Sequence, residues 1–210
     1  MSESHVKTIL SEQLNVSRET IDDLDTLVGL LKKWNKTINL VGNATIADVW
    51  RRHVLDSAQI WQLRPNKLKV WVDLGSGGGF PGLVLAILAK TDAPDAVFHF
   101  IESDARKCAF LRNVSRETSL NTVIHTMRIE DADEITADVV SARALASVDV
   151  LLGLSVSFLS ENTYCLFLKG RGCATEVMKA HESWHFQSNM IESVSDSSGT
   201  ILKLWNIRRA

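Results

Sequence analysis

The residues with the clearest potential for chemistry form a glycine-rich segment, residues 70–82. Its apolar run Val70–Leu74 contains Asp73, and four glycines occupy positions in 75–79. Because glycine has no Cβ and tolerates positive φ, such a loop lets the backbone approach a ligand closely. A helix that starts near Pro81 offers unpaired N–H groups to an anionic part of that ligand. The segment therefore predicts the floor of a nucleotide-type cofactor site, with a tight structural turn as the alternative.

Two classes of cofactor fit the spacing of these glycines. Gly77, Gly79 and Gly82 match the dinucleotide fingerprint, but Gly77 lies two residues beyond the first glycine after the apolar run. Counted from Gly75, the spacing is Gly-x-Gly-x-Gly after Asp73, which is usual in S-adenosylmethionine methyltransferases. The glycines alone do not decide between the two cofactors.

The elements that must position this loop alternate between strand and helix. Apolar runs predict strands at 70–74, 97–101, 122–127, 138–141 and 164–168, and helices at 82–90, 105–117, 147–158 and 173–182. Two further segments, 186–194 and 200–207, flank a polar turn and predict an antiparallel hairpin. The predicted fold class is α/β, a doubly wound, mostly parallel sheet of the S-adenosylmethionine-dependent methyltransferase type with an N-terminal helical extension.

The chain is expected to divide into a helical N-terminal extension, residues 1–65, and a Rossmann-like methyltransferase domain, residues 66–210. Ser17 is the predicted N-cap of one helix in the extension. A second helix is predicted at 45–63.

His53 and Asp56 would share a face of that second helix, three residues apart. One interpretation is a solvated ionic face. The other is a contact to a polyanion or a substrate.

Candidate ligand-binding residues follow the predicted strands, where ligands bind in doubly wound sheets. Glu102 follows the second strand, and its carboxylate can accept hydrogen bonds from both hydroxyls of a ribose. Ile129 and Glu130 follow the third strand, where they suit the ring and the amino group of an adenine, with a charged surface turn as the alternative. A cap of the next helix is the alternative role for Glu102, although Asp104 is better placed for it.

Cations follow the fourth and fifth predicted strands. Arg143 should point into the cleft and bind a carboxylate or phosphate, unless it forms a structural ion pair with Asp73 or Glu102. Lys169 and Arg171 lie at the same rim and suit a polyanionic substrate.

Composition limits the class of protein. Hydrophobic residues make up 45% and charged residues 23%, as in soluble globular proteins, and the net charge of −2 argues against a broadly basic nucleic-acid binder. No apolar run is long enough to span a bilayer, and the N-terminus has no signal-peptide pattern. The three cysteines lack paired spacing and suggest reduced thiols. These features predict a cytoplasmic protein without membrane contact.

Three rival functions remain open. His181-Glu182-Ser183-Trp184-His185 matches the zinc motif of metalloproteases, although the residues from His185 onward alternate like a strand and no third histidine follows. A nicotinamide dehydrogenase would use the fingerprint glycines with Glu102 as the ribose acid. A non-enzymatic RNA-binding module is the third.

The residues after the fourth predicted strand lack the motifs that two classes of methyl acceptor require. That strand is followed by Ser141-Ala142-Arg143-Ala144, whereas methyltransferases of base amino groups often carry an Asn/Asp-Pro-Pro-aromatic run there. No cysteine lies there to act as the nucleophile that pyrimidine C5 chemistry needs. Guanine N7 has a free lone pair, so its methylation needs positioning and exclusion of water rather than a base.

Together these motifs resemble those of the bacterial small-subunit ribosomal RNA guanine-N7 methyltransferases, the RsmG (GidB) family. The resemblance covers nearly the whole chain and includes Trp34-Asn35, Asn39-Leu40, His53–Ser57, Asp73–Gly82, Glu102-Ser103, Lys107, Phe110-Leu111, Arg128–Glu130, Ser141–Ala144 and Leu168–Gly170.

The resemblance implies that S-adenosyl-L-methionine is the cofactor and that the acceptor is 16S rRNA within the small ribosomal subunit. It implies cofactor contacts at Gly75, Phe80, Ile129, Glu130 and Arg143, to which the loop adds Gly77 and the strand-end argument adds Glu102. No catalytic residue and no metal are expected, and the protein is expected to be a monomer. A different RNA or a small-molecule acceptor is the alternative.

Overall fold

A seven-stranded sheet forms the centre of the computed structural model, which describes residues 1–210. Its strands are β1 Val70–Leu74, β2 Val97–Glu102, β3 Thr122–Thr126, β4 Val139–Arg143, β5 Tyr164–Lys169, β6 Trp184–Glu192 and β7 Thr200–Arg209. Their order is β3-β2-β1-β4-β5-β7-β6, in which β1 to β5 are parallel and β7 is antiparallel to β5 and β6. The predicted doubly wound sheet with a closing hairpin is confirmed.

Eight α-helices accompany the sheet. They are α1 Glu3–Gln13, α2 Arg18–Trp34, α3 Asn43–Ile46, α4 Asp56–Ala58, α5 Gly82–Asp92, α6 Ala105–Glu117, α7 Val148–Ser155 and α8 Cys173–Ala180. The cap predicted at Ser17 is present, since its hydroxyl accepts from the backbone N–H of Thr20 at 3.2 Å. None of the helices combines the length and apolar character that crossing a bilayer requires.

Side chains of β1 alternate between two apolar cores, because successive residues of a strand point to opposite faces of a sheet. Trp71 lies in the core that joins α1, α2, α5 and α6, whereas Val72 lies in the core that joins α7 and α8. The first core also contains Leu24 of α2 and Leu85 of α5, so the N-terminal helices are buried against one face of the sheet. The division between residues 1–65 and 66–210 stays a prediction.

The continuous helix predicted at 45–63 is wrong, because the segment is broken. After α3 the chain forms a π-helical stretch, Trp50–Leu55, then α4 and a 3₁₀ turn, Gln59–Leu63. The backbone N–H of Asp56 donates to the carbonyl of Arg51, five residues back. Apolar spacing predicted helical structure but could not reveal this change of pitch, which is frequent at functional sites.

The carboxyl ends of the five parallel strands meet along one rim of the sheet. The strand order reverses between β1 and β4, where ligands bind in doubly wound folds. The rim is therefore where the predicted site residues should converge.

Candidate functional site

The glycine loop after β1 has the backbone conformation that its composition predicts. Gly75 and Gly77 have φ values of +60° and +54°, which residues with a Cβ rarely adopt. At Gly78 the constraint is space, because a Cβ there would lie 2.8 Å from the carbonyl oxygen of Leu40. The loop therefore needs glycine for two reasons: positive φ at Gly75 and Gly77, and close packing of the N-terminal segment at Gly78.

The predicted contact between a ligand and the N-terminus of α5 stays a prediction. The buried carboxylate of Asp73 lies beside Gly82, which lines neither of the cavities described below. Its Oδ1 accepts from the hydroxyl of Ser141 at 2.5 Å, and its Oδ2 has no hydrogen-bond partner. Burial raises the pKa of Asp73 to about 6, and the hydrogen bond from Ser141 opposes that rise. The side chain of Asp73 is therefore bonded to β4, and its backbone carbonyl accepts from the hydroxyl of Ser76 in the loop at 2.9 Å.

A cavity of about 370 Å³ lies over the ends of β1, β2 and β4. It is lined by six of the predicted residues, namely Gly75, Gly77, Glu102, Ile129, Glu130 and Arg143. Lys107, Met127 and Leu145 also line it, although none of them was predicted. Leu145 packs against Gly75, where an added Cβ would lie 2.8 Å from Cδ1 of Leu145. Its only signal in the sequence was that an apolar residue follows Arg143 by two positions.

Glu102 is buried at this cavity with both carboxylate oxygens engaged. Oε2 accepts from the N–H of Gly77 at 2.9 Å and Oε1 from the N–H of Asp104 at 2.8 Å. Asp104 caps α6 by accepting from the N–H of Arg106 at 2.8 Å, as the sequence predicts. Each oxygen of Glu102 keeps a second lone pair, so the carboxylate can still accept from a ligand.

Phe80 is the one predicted cofactor-binding residue that does not line the smaller cavity. Its ring does not line the smaller cavity but a larger one of about 490 Å³. The ring packs against the imidazole of His53, with 5.0 Å between ring centroids, and the Arg143 guanidinium lies 5.2 Å from its centroid. Phe80 thus supports the side chains between the cavities.

The larger cavity adjoins the smaller one, and the two share Gly75, Gly77, Arg143 and Ala144. Further parts of its wall come from both ends of the chain, within residues 40–56 and 193–201, and from Leu168–Gly170 and Glu176. The residues of the 193–201 wall were not predicted, and the only signal for them was a serine-rich turn between two strands. The arrangement provides two compartments with a common boundary.

Arg143 lies on that boundary, and its ion pair differs from the alternatives weighed above. It pairs with neither Asp73 nor Glu102, because its Nη1 lies 3.3 Å from Oδ2 of Asp56. Nη2 lies 2.7 Å from Nδ1 of His53, and the side chain is only 17% exposed. Burial lowers the pKa of Arg143, and the nearby Asp56 carboxylate opposes that shift.

His53 and Asp56 do not form a solvated ionic face, so that interpretation is wrong. Burial, reinforced by the Arg143 charge, lowers the pKa of His53 to about 3, which leaves the imidazole neutral at pH 7. Asp56 also accepts from the hydroxyl of Ser195 at 2.6 Å. Both residues are therefore part of the wall of the larger cavity.

The cations at the end of β5 are less available than predicted. Lys169 lines the larger cavity, but its ammonium donates to the carbonyl of Ala146 at 2.6 Å and pairs with Glu176 at 2.7 Å. Arg171 is exposed. Only Arg171 of this pair presents an uncompensated charge to solvent.

The motif at His181–His185 is not a zinc site. Helix α8 ends at Ala180 and β6 begins at Trp184, so the two histidines do not share a helical face. The chain contains no cluster of three histidine, cysteine, aspartate or glutamate side chains that could hold a metal ion. His181 stacks instead on Phe186, with 4.1 Å between ring centroids.

Solved structures of low sequence identity share this fold. A putative O-methyltransferase from Klebsiella pneumoniae aligns over 97% of this chain and 96% of its own, with a TM-score of 0.60 and 11% identity. TYW2 from M. jannaschii, solved in complex with AdoMet, aligns over 83% of this chain and 80% of its own, with a TM-score of 0.55 and 13% identity.

Sequence relatives are much closer. The ribosomal RNA small subunit methyltransferase G of Rhodospirillum centenum is 50% identical over 91% of this chain and 87% of its own length. The protein of that name from Cereibacter sphaeroides is 46% identical over 93% of this chain and 94% of its own. A family model described as rRNA small subunit methyltransferase G matches residues 20–204. The chain therefore belongs to the rRNA small subunit methyltransferase G (GidB) family.

Proposed function

We propose that the chain transfers a methyl group from S-adenosyl-L-methionine to N7 of a guanine in 16S rRNA, within the small ribosomal subunit. The observation that carries the proposal is the pair of adjoining cavities at the rim of the sheet, which share Gly75, Gly77 and Arg143. One compartment suits the donor and the other the acceptor, and the reacting atoms would meet at their boundary. A ribosomal substrate places the activity in the cytoplasm.

The residues of the smaller cavity fit the proposed cofactor. Glu102 has acceptor capacity left for two ribose hydroxyls, and Ile129 offers an apolar contact to an adenine. Glu130, next to it, can accept from an adenine amino group. The backbone of Gly75 and Gly77 lies at the boundary with the larger cavity, so the methionine portion would extend toward the acceptor. When bound, the cofactor supplies an electrophilic methyl group on a sulfonium.

The chain's own contribution is positioning, and no residue is assigned as a catalytic acid or base. Guanine N7 presents a lone pair in its neutral ring, so the acceptor loses no proton during attack. Orientation of two reactants and exclusion of water supply a large part of a barrier reduction of this kind. Arg143 and Phe80 would fix the boundary between the compartments, and the segment 40–45 would cover it.

The proposed macromolecular partner is the small subunit rather than free RNA. The net charge of −2 provides little general attraction to a polyanion, and the Lys169 charge is already paired with Glu176. We expect weak binding of free RNA that falls further as salt rises, a monomeric protein, and no requirement for a metal ion. Tight binding of free RNA that ignores salt would contradict this part of the proposal.

The test is methyl transfer in vitro from labelled S-adenosylmethionine to small subunits from a strain that lacks the activity. We expect one modified nucleotide, identified by mass spectrometry as 7-methylguanosine, and no incorporation into subunits that already carry it. A methyl group on an exocyclic amine, on carbon, or on another class of acceptor would overturn the proposal.

A further inference from the structure

A chain of hydrogen bonds that runs through His53 connects the segment 42–45 to Arg143 at the boundary between the two cavities. Nη2 of Arg143 lies 2.7 Å from Nδ1 of His53, and Nε2 of His53 lies 2.7 Å from Oγ1 of Thr45. The hydroxyl of Thr45 donates to the carbonyl of Gly42, also at 2.7 Å. His53 thus joins Thr45 and Arg143, which both line the larger cavity.

The donors and acceptors permit one direction only. A guanidinium cannot accept, so Nδ1 of His53 must accept from Arg143. The only proton of the Thr45 hydroxyl is used on the carbonyl of Gly42, so Thr45 must accept from Nε2–H of His53. Geometry therefore assigns His53 as the neutral tautomer that carries its proton on Nε2.

The far end of this chain belongs to a segment that covers the glycine loop, which we name the roof loop, residues 40–45. Oδ1 of Asn35 accepts from the N–H groups of Leu40 and Val41, each at 2.9 Å, and so fixes the start of the roof loop. The carbonyl of Leu40 packs closely on Gly78. The roof loop is thus held at one end by Asn35 and at the other by Thr45.

We propose that His53 is a positioning residue for methyl transfer, holding the Arg143 guanidinium on the boundary of the two cavities and tying it to the roof loop through Thr45. The other terminal nitrogen of Arg143 donates to the carbonyl of Arg52 at 3.1 Å and to Oδ2 of Asp56 at 3.3 Å. His53 is the acceptor for Nη2, and because it is neutral it adds no negative charge next to an anionic substrate. The reaction that Arg143 serves rests on the proposed function, whereas the hydrogen-bond chain is a property of the fold.

Two amide substitutions distinguish the roles of the two imidazole nitrogens of His53. The side chain of asparagine overlaps the position of Nδ1, so His53→Asn can still accept from Arg143. That of glutamine overlaps the position of Nε2, so His53→Gln keeps a partner for Thr45 and loses the one for Arg143. We expect kcat for His53→Asn to stay within about threefold of wild type, and kcat for His53→Gln to fall about tenfold or more.

The matched control is His125→Asn, which changes a half-buried histidine on β3 that lines neither cavity and should leave kcat unchanged. Urea unfolding of each variant measures its stability, so a lower kcat caused by unfolding can be told from one caused by a misplaced Arg143 guanidinium. If His53→Asn and His53→Gln lose activity equally, in step with their stability, the role is structural and the proposal is wrong.

A double-mutant cycle tests whether His53 acts through Arg143. In the Arg143→Ala background, His53→Gln should slow single-turnover methyl transfer by less than about twofold, because the guanidinium that His53 positions is absent. Multiplicative losses in the double variant would overturn the proposal.

A ¹⁵N NMR spectrum of the imidazole provides a readout that needs no activity. We expect a protonated Nε2 and an unprotonated, hydrogen-bonded Nδ1, and the opposite tautomer would overturn the proposal. This measurement remains valid if the wild-type protein fails to methylate small subunits, so failure here is distinguishable from failure of the proposed function.

Discussion

The carboxylate of Glu102 accepts from the backbone N–H of Gly77 at 2.9 Å, which ties the end of β2 to the glycine loop that follows β1. A second backbone N–H, that of Asp104, holds its other oxygen at 2.8 Å. The same side chain therefore shapes the loop and presents acceptor capacity to the smaller cavity. Removal of this carboxylate should weaken ligand binding more than it lowers the stability of the fold, because the two N–H groups left behind can bind water.

The first prediction concerns this carboxylate. Glu102→Ala should weaken S-adenosylmethionine binding by about 2 kcal/mol, since two charge-assisted hydrogen bonds to a ligand are lost. Isothermal titration calorimetry measures the dissociation constant, and Glu117→Ala at the other end of α6 is the matched acidic control. An unchanged dissociation constant for Glu102→Ala would remove this residue from the cofactor site.

The second prediction concerns the guanidinium at the boundary of the cavities. Arg143→Ala should lower methyl transfer by about tenfold or more, because the hydrogen bonds to Asp56 and His53 are lost together. A cooperative urea transition should persist. Arg116→Ala, which removes a side chain that is 74% exposed, should leave the rate unchanged. Full activity of Arg143→Ala would assign the residue a structural role only.

The third prediction concerns the contact between the roof loop and the glycine loop. Gly78→Ala adds a Cβ 2.8 Å from the backbone oxygen of Leu40, so one of the two loops must move. We expect a loss of about 1–3 kcal/mol in the free energy of unfolding, together with slower methyl transfer. Gly29→Ala is the control, because nothing lies within 4 Å of its added Cβ and it is exposed on α2. The free energy of unfolding of Gly29→Ala should rise by about 0.5–1 kcal/mol. Equal effects of the two substitutions on urea unfolding would count against a close contact between Leu40 and Gly78.

The fourth prediction is a pH dependence. Burial raises the pKa of Asp73 from 3.8 to about 6, so the folded state binds more protons than the unfolded state between these values. The stabilising contribution of Asp73 is therefore complete below about pH 4 and is lost as pH rises through about 6. Asp73→Asn lacks this loss, so from pH 4 to 7 its stability should improve relative to wild type by about 3 kcal/mol.

Urea unfolding of both proteins at several pH values measures that difference. His53 contributes with the opposite sign, because its pKa is lowered to about 3 and its stabilising contribution is lost as pH falls below about 6.5. Since both proteins contain His53, the difference between their profiles isolates Asp73. Parallel profiles would show that the pKa of Asp73 is not raised.

The strands and the residues at their ends could be predicted from the sequence because the rules involved are local. The run Val70–Leu74 is β1 with the bounds predicted, and parallel strands buried on both faces are continuous in apolar residues. Once the strands are known, their carboxyl ends must share a rim. Glu102 and Ile129 come together at one cavity for that reason.

The partners of Arg143 could not be predicted, because they lie far away in the sequence. Asp56 and His53 precede it by 87 and 90 residues and are placed by the packing of the N-terminal helices on the sheet. The π-helical stretch Trp50–Leu55 has the same apolar spacing as an α-helix, so its pitch was also hidden. Long-range packing decides both features, and neither has a local signature.

The larger cavity takes walls from both ends of the chain, and this has a consequence for biosynthesis. Every residue of the smaller cavity lies between positions 75 and 154, whereas one wall of the larger cavity lies at 193–201. A growing polypeptide therefore contains every residue that lines the smaller cavity before the last wall of the larger cavity has been made. A product released before Thr200 would lack β7, the strand that pairs with β5 and β6, and with it one wall of the larger cavity.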